Sequence, residues 1–116
     1  MSAVNAVKHD EGKLPWDLMP FDALEEVVKV LRFGAAKYAP RNWEAGLPWS
    51  RIFSSAMRHL VQWFKGDDVD RESGLHPLAH AACCVLFLLA YVLRKSGNDD
   101  RPAARQEIVR IKVGGR

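Results

Sequence analysis

Imidazole and carboxylate side chains gather in the middle of this sequence. His59 lies near the end of one helical pattern, His76 and His80 open the next, and four carboxylates occur between positions 67 and 72. Helical residues four apart share a face, so His76 and His80 would lie one turn apart. Two or three imidazoles with one or two carboxylates are typical ligands of a first-row divalent metal ion.

We therefore predict a divalent metal site with manganese, magnesium or another first-row ion. Its predicted ligands are His59, Asp70, His76 and His80, with Glu26 as a further candidate. A neighbouring carboxylate, Glu72 or Asp67, would orient or deprotonate a water molecule. The alternative interpretation is a solvated acidic turn beside histidines that serve only as core or capping residues.

Three helical patterns must position these groups, and they predict an all-α domain with helices over about 23–38, 49–65 and 76–96. Asp22 and Glu25 have the spacing of a capping box, and Gly97 is suited to end the last helix. The first helix carries one apolar stripe, which consists of Leu24, Val27, Val28, Leu31, Ala35 and Tyr38. Val30 and Phe33 lie outside this stripe. The short loop before His76 predicts that the second and third helices are antiparallel neighbours.

The third helix, His76–Lys95, is apolar nearly all round, which predicts burial on most sides. Its own domain and a second subunit would provide that burial, so we expect a homo-oligomeric helical bundle. Its apolar run, Leu78–Leu93, contains His80 and is shorter than an ordinary membrane span, and we expect no membrane partner. The adjacent Cys83 and Cys84 are interpreted as small buried hydrophobes in a reducing compartment.

At 116 residues, the chain is expected to form a single domain, residues 1–116. We divide it into an ordered arm or loop over 1–20, a helical core over 21–97 and a tail over 98–116 with a short strand near 109–113. The chain has a net charge of +3, and much of the excess lies in that tail. This positive charge would suit an anionic small molecule just as well as a nucleic acid. No helix stands out as one that would read DNA.

An ordered set of short motifs resembles a known phage-associated family, that of the dATP/dGTP diphosphohydrolase N-terminal domain. The resemblance covers about residues 8–91 and is carried by Lys8-x-Asp10-x-Gly12-Lys13, Gly34-Ala35-x-Lys37-Tyr38, Asn42-Trp43, Arg58-His59-Leu60, Asp70-x-Glu72-Ser73-Gly74-Leu75 and His80-Ala81-Ala82. The chain is also distantly similar to the all-α MazG-type nucleotide pyrophosphohydrolases. Glu25-Glu26 would match their first acidic pair, and His76 and His80 replace the carboxylates of the second.

The family resemblance implies metal-dependent hydrolysis of a purine deoxynucleoside triphosphate in phage nucleotide metabolism, in the cytoplasm of the host cell. Under that interpretation, phosphate contacts fall to Lys8, Lys13, Lys37 and Arg58, with Asp10 in the same arm motif, and Asn42 and Trp43 would face the base. Trp43 could equally pack over a domain edge. The alternative function is a non-catalytic protein that sequesters a nucleotide or a nucleotide signal of host defence.

Overall fold

The computed structural model describes residues 5–103, and this part of the chain is all-α. It contains α1 (Phe21–Lys37), α2 (Trp49–Phe64) and α3 (Pro77–Arg94), with short 3-10 turns at Trp16–Leu18 and Asn42–Ala45. Over the described range, extended pairing is limited to a single bridge between Pro48 and Asn98. The prediction of a three-helix, all-α fold is confirmed. The strand predicted near 109–113 lies outside the described residues.

The helix ends differ from the predicted ones where local hydrogen bonding decides them. Helix α1 begins at Phe21 directly after Pro20, so Asp22 lies inside the first turn, where its carboxylate accepts from Ala23 N at 2.8 Å. The predicted capping box is therefore wrong. Helix α3 is capped by His76, whose Nδ1 accepts from Leu78 N at 3.0 Å. At its other end the left-handed cap residue is Lys95, two residues before the expected Gly97.

Helix α3 is the centre of the fold and packs against both α1 and α2. Val27 and Val30 of α1 meet Ala79 and Cys83 of α3 in the buried core. The prediction for the apolar stripe of α1 was wrong in this respect, because Val30 is buried while Val28 is 53% exposed. Helix α1 packs mainly against one neighbour, so it buries a narrow strip with i, i+3 spacing instead of a broad face.

Tyr91 fixes the loop between α1 and α2 onto α3. Its ring is fully buried, and its hydroxyl donates to the carbonyl oxygen of Trp43 at 2.6 Å. The Trp43 ring stacks on Phe87 with ring centroids 4.4 Å apart and planes 11° from parallel. Arg94 lies over the Trp43 ring at 5.1 Å from its centroid. This packing matches the alternative in which Trp43 covers a domain edge.

The end of α3 is tied to the start of α2, which makes the two helices antiparallel as predicted. The Trp49 indole donates to the carbonyl oxygen of Ser96 at 3.0 Å, and Trp49 N donates to Asn98 O at 2.9 Å. Pro48 precedes α2 and offers no side-chain cap, and the carboxylate of Asp100 takes that role by accepting from Ser50 N at 2.9 Å. A segment beyond α3 thus caps α2.

We predict that Gly97→Ala destabilises the protein more than Gly74→Ala. Both glycines have a left-handed backbone, with φ of 74° and 73°. A Cβ at Gly97 would lie 2.8 Å from Leu47 O, whereas one at Gly74 meets nothing within 4 Å. Chemical denaturation should show that the free energy of unfolding is about 1–2 kcal/mol lower for Gly97→Ala than for Gly74→Ala, because the backbone strain is common to both variants and the steric clash is not. Equal losses would contradict a close approach at Gly97.

Candidate functional site

His59 of α2 and His80 of α3 form the centre of the candidate site. Their rings stack with centroids 4.7 Å apart and planes 19° from parallel. Phe33 of α1 places its ring edge-on to His80 at 6.1 Å. His80 is only 9% exposed. The three helices therefore meet around a pair of imidazoles, and the sequence prediction that His59 and His80 come together agrees with this arrangement.

Ser73 links His80 to the acidic turn and decides which ring nitrogen carries a proton. Its Oγ lies 2.6 Å from His80 Nε2 and 3.0 Å from Asp70 Oδ2, and it also accepts from Leu75 N at 3.1 Å. The single hydroxyl proton must point to the ionised Asp70, because two oxygens without a proton between them repel. His80 Nε2 is then the donor to Ser73. The neutral ring of His80 keeps its lone pair on Nδ1.

Asp70 organises the turn instead of pointing at open space. Besides the Ser73 hydroxyl, its Oδ2 accepts from Ser73 N at 2.9 Å and Glu72 N at 3.2 Å. A side chain that bonds the backbone two and three residues onward is a common turn device of aspartate. Ser73 was missed as a site residue by the sequence reasoning, and the Asp-x-x-Ser spacing is the signal that could have found it.

Burial and charge set the protonation states of this network. Burial, together with the nearby His59, lowers the pKa of His80, although Asp70 and Glu72 oppose the shift. Burial by itself would raise the pKa of Asp70, but the hydrogen bonds from Ser73 and from Glu72 N, together with the nearby His80, outweigh it and lower that pKa. A neutral imidazole, a hydroxyl and an ionised carboxylate are therefore joined in line at neutral pH.

His59 holds a polar atom without a hydrogen-bond partner. Its Nδ1 is buried and has no hydrogen-bond partner within the described residues. A buried polar atom of this kind costs about 1–3 kcal/mol when it is left unsatisfied. With the free Nδ1 of His80, it gives the site two imidazole nitrogens that a ligand could satisfy.

Lys37 and Glu72 form an ion pair near the imidazoles, at the solvent edge. Lys37 Nζ lies 2.9 Å from Glu72 Oε1 and 2.8 Å from Oε2, and this contact raises the pKa of Lys37. Both side chains are well exposed, at 38% and 62%. The predicted phosphate contact and the predicted water-orienting carboxylate therefore neutralise each other.

Other predicted site residues lie in separate local contacts. His76 Nε2 is 3.3 Å from Asp68, Glu26 pairs with Lys29 at 3.0 Å, and Arg58 donates to Ser55 Oγ at 2.9 Å. On the arm, Lys8 and Asp10 pair with each other at 3.7 Å. Three further predicted residues are exposed: Lys13, Asn42 and Asp67.

The predicted metal ligands divide into two sets. His59, His80 and Asp70 belong to one network, whereas His76 faces Asp68 and Glu26 faces Lys29. Among residues 5–103, no three His, Cys, Asp or Glu side chains are arranged as a metal-ion site. Two imidazole nitrogens remain without a hydrogen bond in this part of the chain, His59 Nδ1 and His80 Nδ1, and Asp70 reaches His80 through Ser73.

Comparison with known proteins now identifies the family. The protein-family model described as "dATP/dGTP diphosphohydrolase, N-terminal" matches residues 4–101, most of the chain. The chain belongs to this family. A curated relative from Salmonella phage PMBT28, named dATP/dGTP diphosphohydrolase, is 37% identical over 98 residues, which are 84% of this chain and 33% of the relative. The chain thus spans about a third of that relative's length. No solved structure matches.

The sequence-based recognition of the family is confirmed by this match, whereas the likeness to MazG-type enzymes stays a prediction. The matched segment contains the whole network of His59, Asp70, Ser73 and His80, as well as the Lys37–Glu72 pair.

We predict that His80 makes stability fall as the pH drops below about 6.5, the ordinary histidine pKa. The native pKa is lowered, so the unfolded chain binds more protons between the native pKa and 6.5. His80→Gln, which keeps a donor for Ser73, should flatten this slope. Urea unfolding at about pH 7.5, 6.5 and 5.5 in a chelator measures it. The exposed His9→Gln serves as the control and should keep the slope, and an unchanged slope in His80→Gln would contradict the assignment.

Proposed function

We propose that this domain binds a purine deoxynucleoside triphosphate and hydrolyses it with release of diphosphate. The observation that carries the proposal is the 37% identity to a protein named dATP/dGTP diphosphohydrolase, over a segment that includes the whole candidate site. The partner is accordingly a small anionic molecule, and the proposed setting is the cytoplasm, with neither nucleic acid nor membrane required.

Binding of a triphosphate would exchange the partner of Lys37. Phosphate oxygens compete with the Glu72 carboxylate for the ammonium group, since a triphosphate carries several negative charges. Arg58 and the arm residues Lys8 and Lys13 are the other proposed phosphate contacts. Asn42 remains a proposed base contact, whereas the Trp43 ring is already packed on Phe87 and under Arg94. Glu72, released from Lys37, would then be free to accept a proton from water. Asp67 is the other candidate for that role.

In this proposal the Asp70–Ser73–His80 chain holds an imidazole in one tautomer. His80 Nε2–H donates to Ser73 Oγ, so the lone pair of the neutral ring is on Nδ1. Such a hydrogen bond behind a histidine is what orients imidazoles that bind metal ions or accept protons. Asp70 is therefore a positioning residue here.

We further propose that His59 and His80 hold a divalent ion that accompanies the triphosphate. The buried and unpaired Nδ1 of His59 and the free Nδ1 of His80 fit this role. Asp70 would support His80 from behind, and His76 would lie outside the first set of ligands. When bound, the ion offsets phosphate charge so that water can approach phosphorus.

Nucleotide binding without hydrolysis is the second candidate function. The observation that favours it is the absence, within residues 5–103, of three acidic, histidine or cysteine side chains arranged around one ion position. A nucleotide-binding protein needs the lysine and arginine side chains proposed to contact phosphate, and the stacked imidazoles. A hydrolase also needs a correctly placed water molecule. Product analysis separates the two functions.

Lys37→Met tests the proposed phosphate contact. We expect it to weaken dATP and dGTP binding about tenfold, because a charge-assisted contact is lost. Lys29→Met is a matched control, since Lys29 is also on α1, also pairs with a glutamate and is 45% exposed. Calorimetry measures affinity and chromatography measures products, with magnesium or manganese present.

Release of diphosphate and a deoxynucleoside monophosphate by wild-type protein would support hydrolysis. Tight binding with intact nucleotide recovered would select the binding function. Equal affinities of Lys37→Met and Lys29→Met would place the phosphate chain away from Lys37.

His80→Gln tests the proposed ion site separately. We expect its manganese affinity to fall about tenfold or more relative to wild type, and wild-type binding to weaken below about pH 6 as imidazole becomes protonated. His9→Gln on the exposed arm should bind manganese like wild type. Calorimetry with manganese alone, and elemental analysis of chelator-free protein, report the result. Identical binding by all three proteins would return His80 to a purely structural role.

A further inference from the structure

The outward face of α3 carries apolar side chains at regular spacing. Their separations of four, three, four and three residues form a heptad-like seam, which consists of Leu78, Ala82, Val85, Leu89 and Val92. Val85, Leu89 and Val92 are each more than half exposed. A repeat of this kind is typical of a helix that packs against another helix along its length.

Helix α2 presents a second seam of the same kind. Phe53, Met57, Leu60 and Phe64 are separated by four, three and four residues, and Phe64 is 84% exposed. Residues 51–64 of α2 also carry charges, at Arg51 and Arg58, but neither belongs to this seam. Two neighbouring helices thus each leave an uncharged stripe uncovered.

The two seams face the same side of the helix pair. On each helix the seam residues come directly after buried ones, as Phe53 follows Ile52 on α2 and Ala82 follows Ala81 on α3. The seam is therefore rotated by about a quarter of a turn from the buried positions, in the direction in which the helix winds. Because α2 and α3 run antiparallel, these rotations lead to one common side. His59 and His80 are offset the other way, towards Phe33 of α1. The apolar face is therefore opposite the candidate site.

The area of this face is that of a protein interface. The exposed fractions of the seam residues and of the flanking Val61, Leu86 and Leu93 correspond to about 1,000 Å² of apolar surface. A standard interface covers roughly 800 Å² on each partner, whereas apolar patches on monomers usually reach a few hundred Å².

We propose that a second copy of this chain covers the face, so that α2 and α3 of both copies form a four-helix bundle. The face has no charge, so two copies can meet without like-charge repulsion, as a self-complementary interface requires. Helix α3 is long and apolar enough to cross a membrane by length and composition. However, α2 packs along it with Arg51 and Arg58 exposed, and a surrounding bilayer would have to bury those charges.

A pair of matched substitutions tests the interface by sedimentation velocity of the full chain at about 1–50 µM. In the proposed bundle the two-fold axis crosses the helices, so that α3 faces α3 of the second copy and Val85, central in its seam, lies beside the same residue of that copy. We expect wild-type protein to be dimeric and Val85→Glu to raise the dimer dissociation constant at least about 100-fold, since two glutamates would face each other. Val69→Glu replaces a valine that is 61% exposed on the acidic turn, and it should leave the dimer intact.

A second readout does not depend on whether Val85→Glu folds. Val85→Cys should form a disulfide-linked dimer under mild oxidation, whereas Val69→Cys and wild type, which keeps Cys83 and Cys84, should not. Monomeric wild-type protein at about 50 µM would overturn the proposal. Equal dissociation by Val85→Glu and Val69→Glu, or protein that stays in solution only with detergent or lipid, would overturn it too.

Discussion

The fold depends on covering one helix that has no charged side chain from Ala81 to Leu93. Water cannot surround such a helix at acceptable free energy, because each apolar side chain left exposed forfeits the gain from burial. Helices α1 and α2 cover two of its sides. The ties at both ends of the α2–α3 pair, through Trp49 and Asp100 at one and the acidic turn at the other, hold the antiparallel arrangement. The position of every group in the candidate site follows from that arrangement.

The candidate site shows how a polar network can sit at the edge of such a core. His80 is buried between Phe33 and His59, where a protonated imidazole would be poorly solvated. Ser73, backed by Asp70, gives its N–H a partner, and burial keeps the ring neutral. The unpaired nitrogen of His59 stands out against this background, since buried polar groups in folded proteins nearly always have partners. The free energy that it costs can be recovered when a ligand binds.

Periodicity predicted the three helices and their order because burial against a single central helix leaves a clear repeat in each segment. The family was also evident from the motifs themselves. The helix ends were less predictable, since Pro20 and the Asp22 carboxylate act through local hydrogen bonds that the apolar pattern does not report. The choice between Val28 and Val30 depends on where α3 lies, which no local pattern of α1 contains. Similarly, the roles of Asp70 and Ser73 depend on the direction of the Ser73 hydroxyl proton, which a sequence does not contain. The type of residue alone led us to predict Asp70 as a direct metal ligand.

Cys83 gives the core a chemical reporter of its own. Its thiol is buried between α1 and α3, beside Val27 and Val30, and burial raises its pKa to about 12. Thiolate is the reactive form, so the native protein shields this sulfur both sterically and by keeping it protonated. Alkylation of Cys83 therefore requires α1 to separate from α3. The rate of that modification would measure how often this interface opens while the rest of the molecule is intact, a local motion distinct from global unfolding.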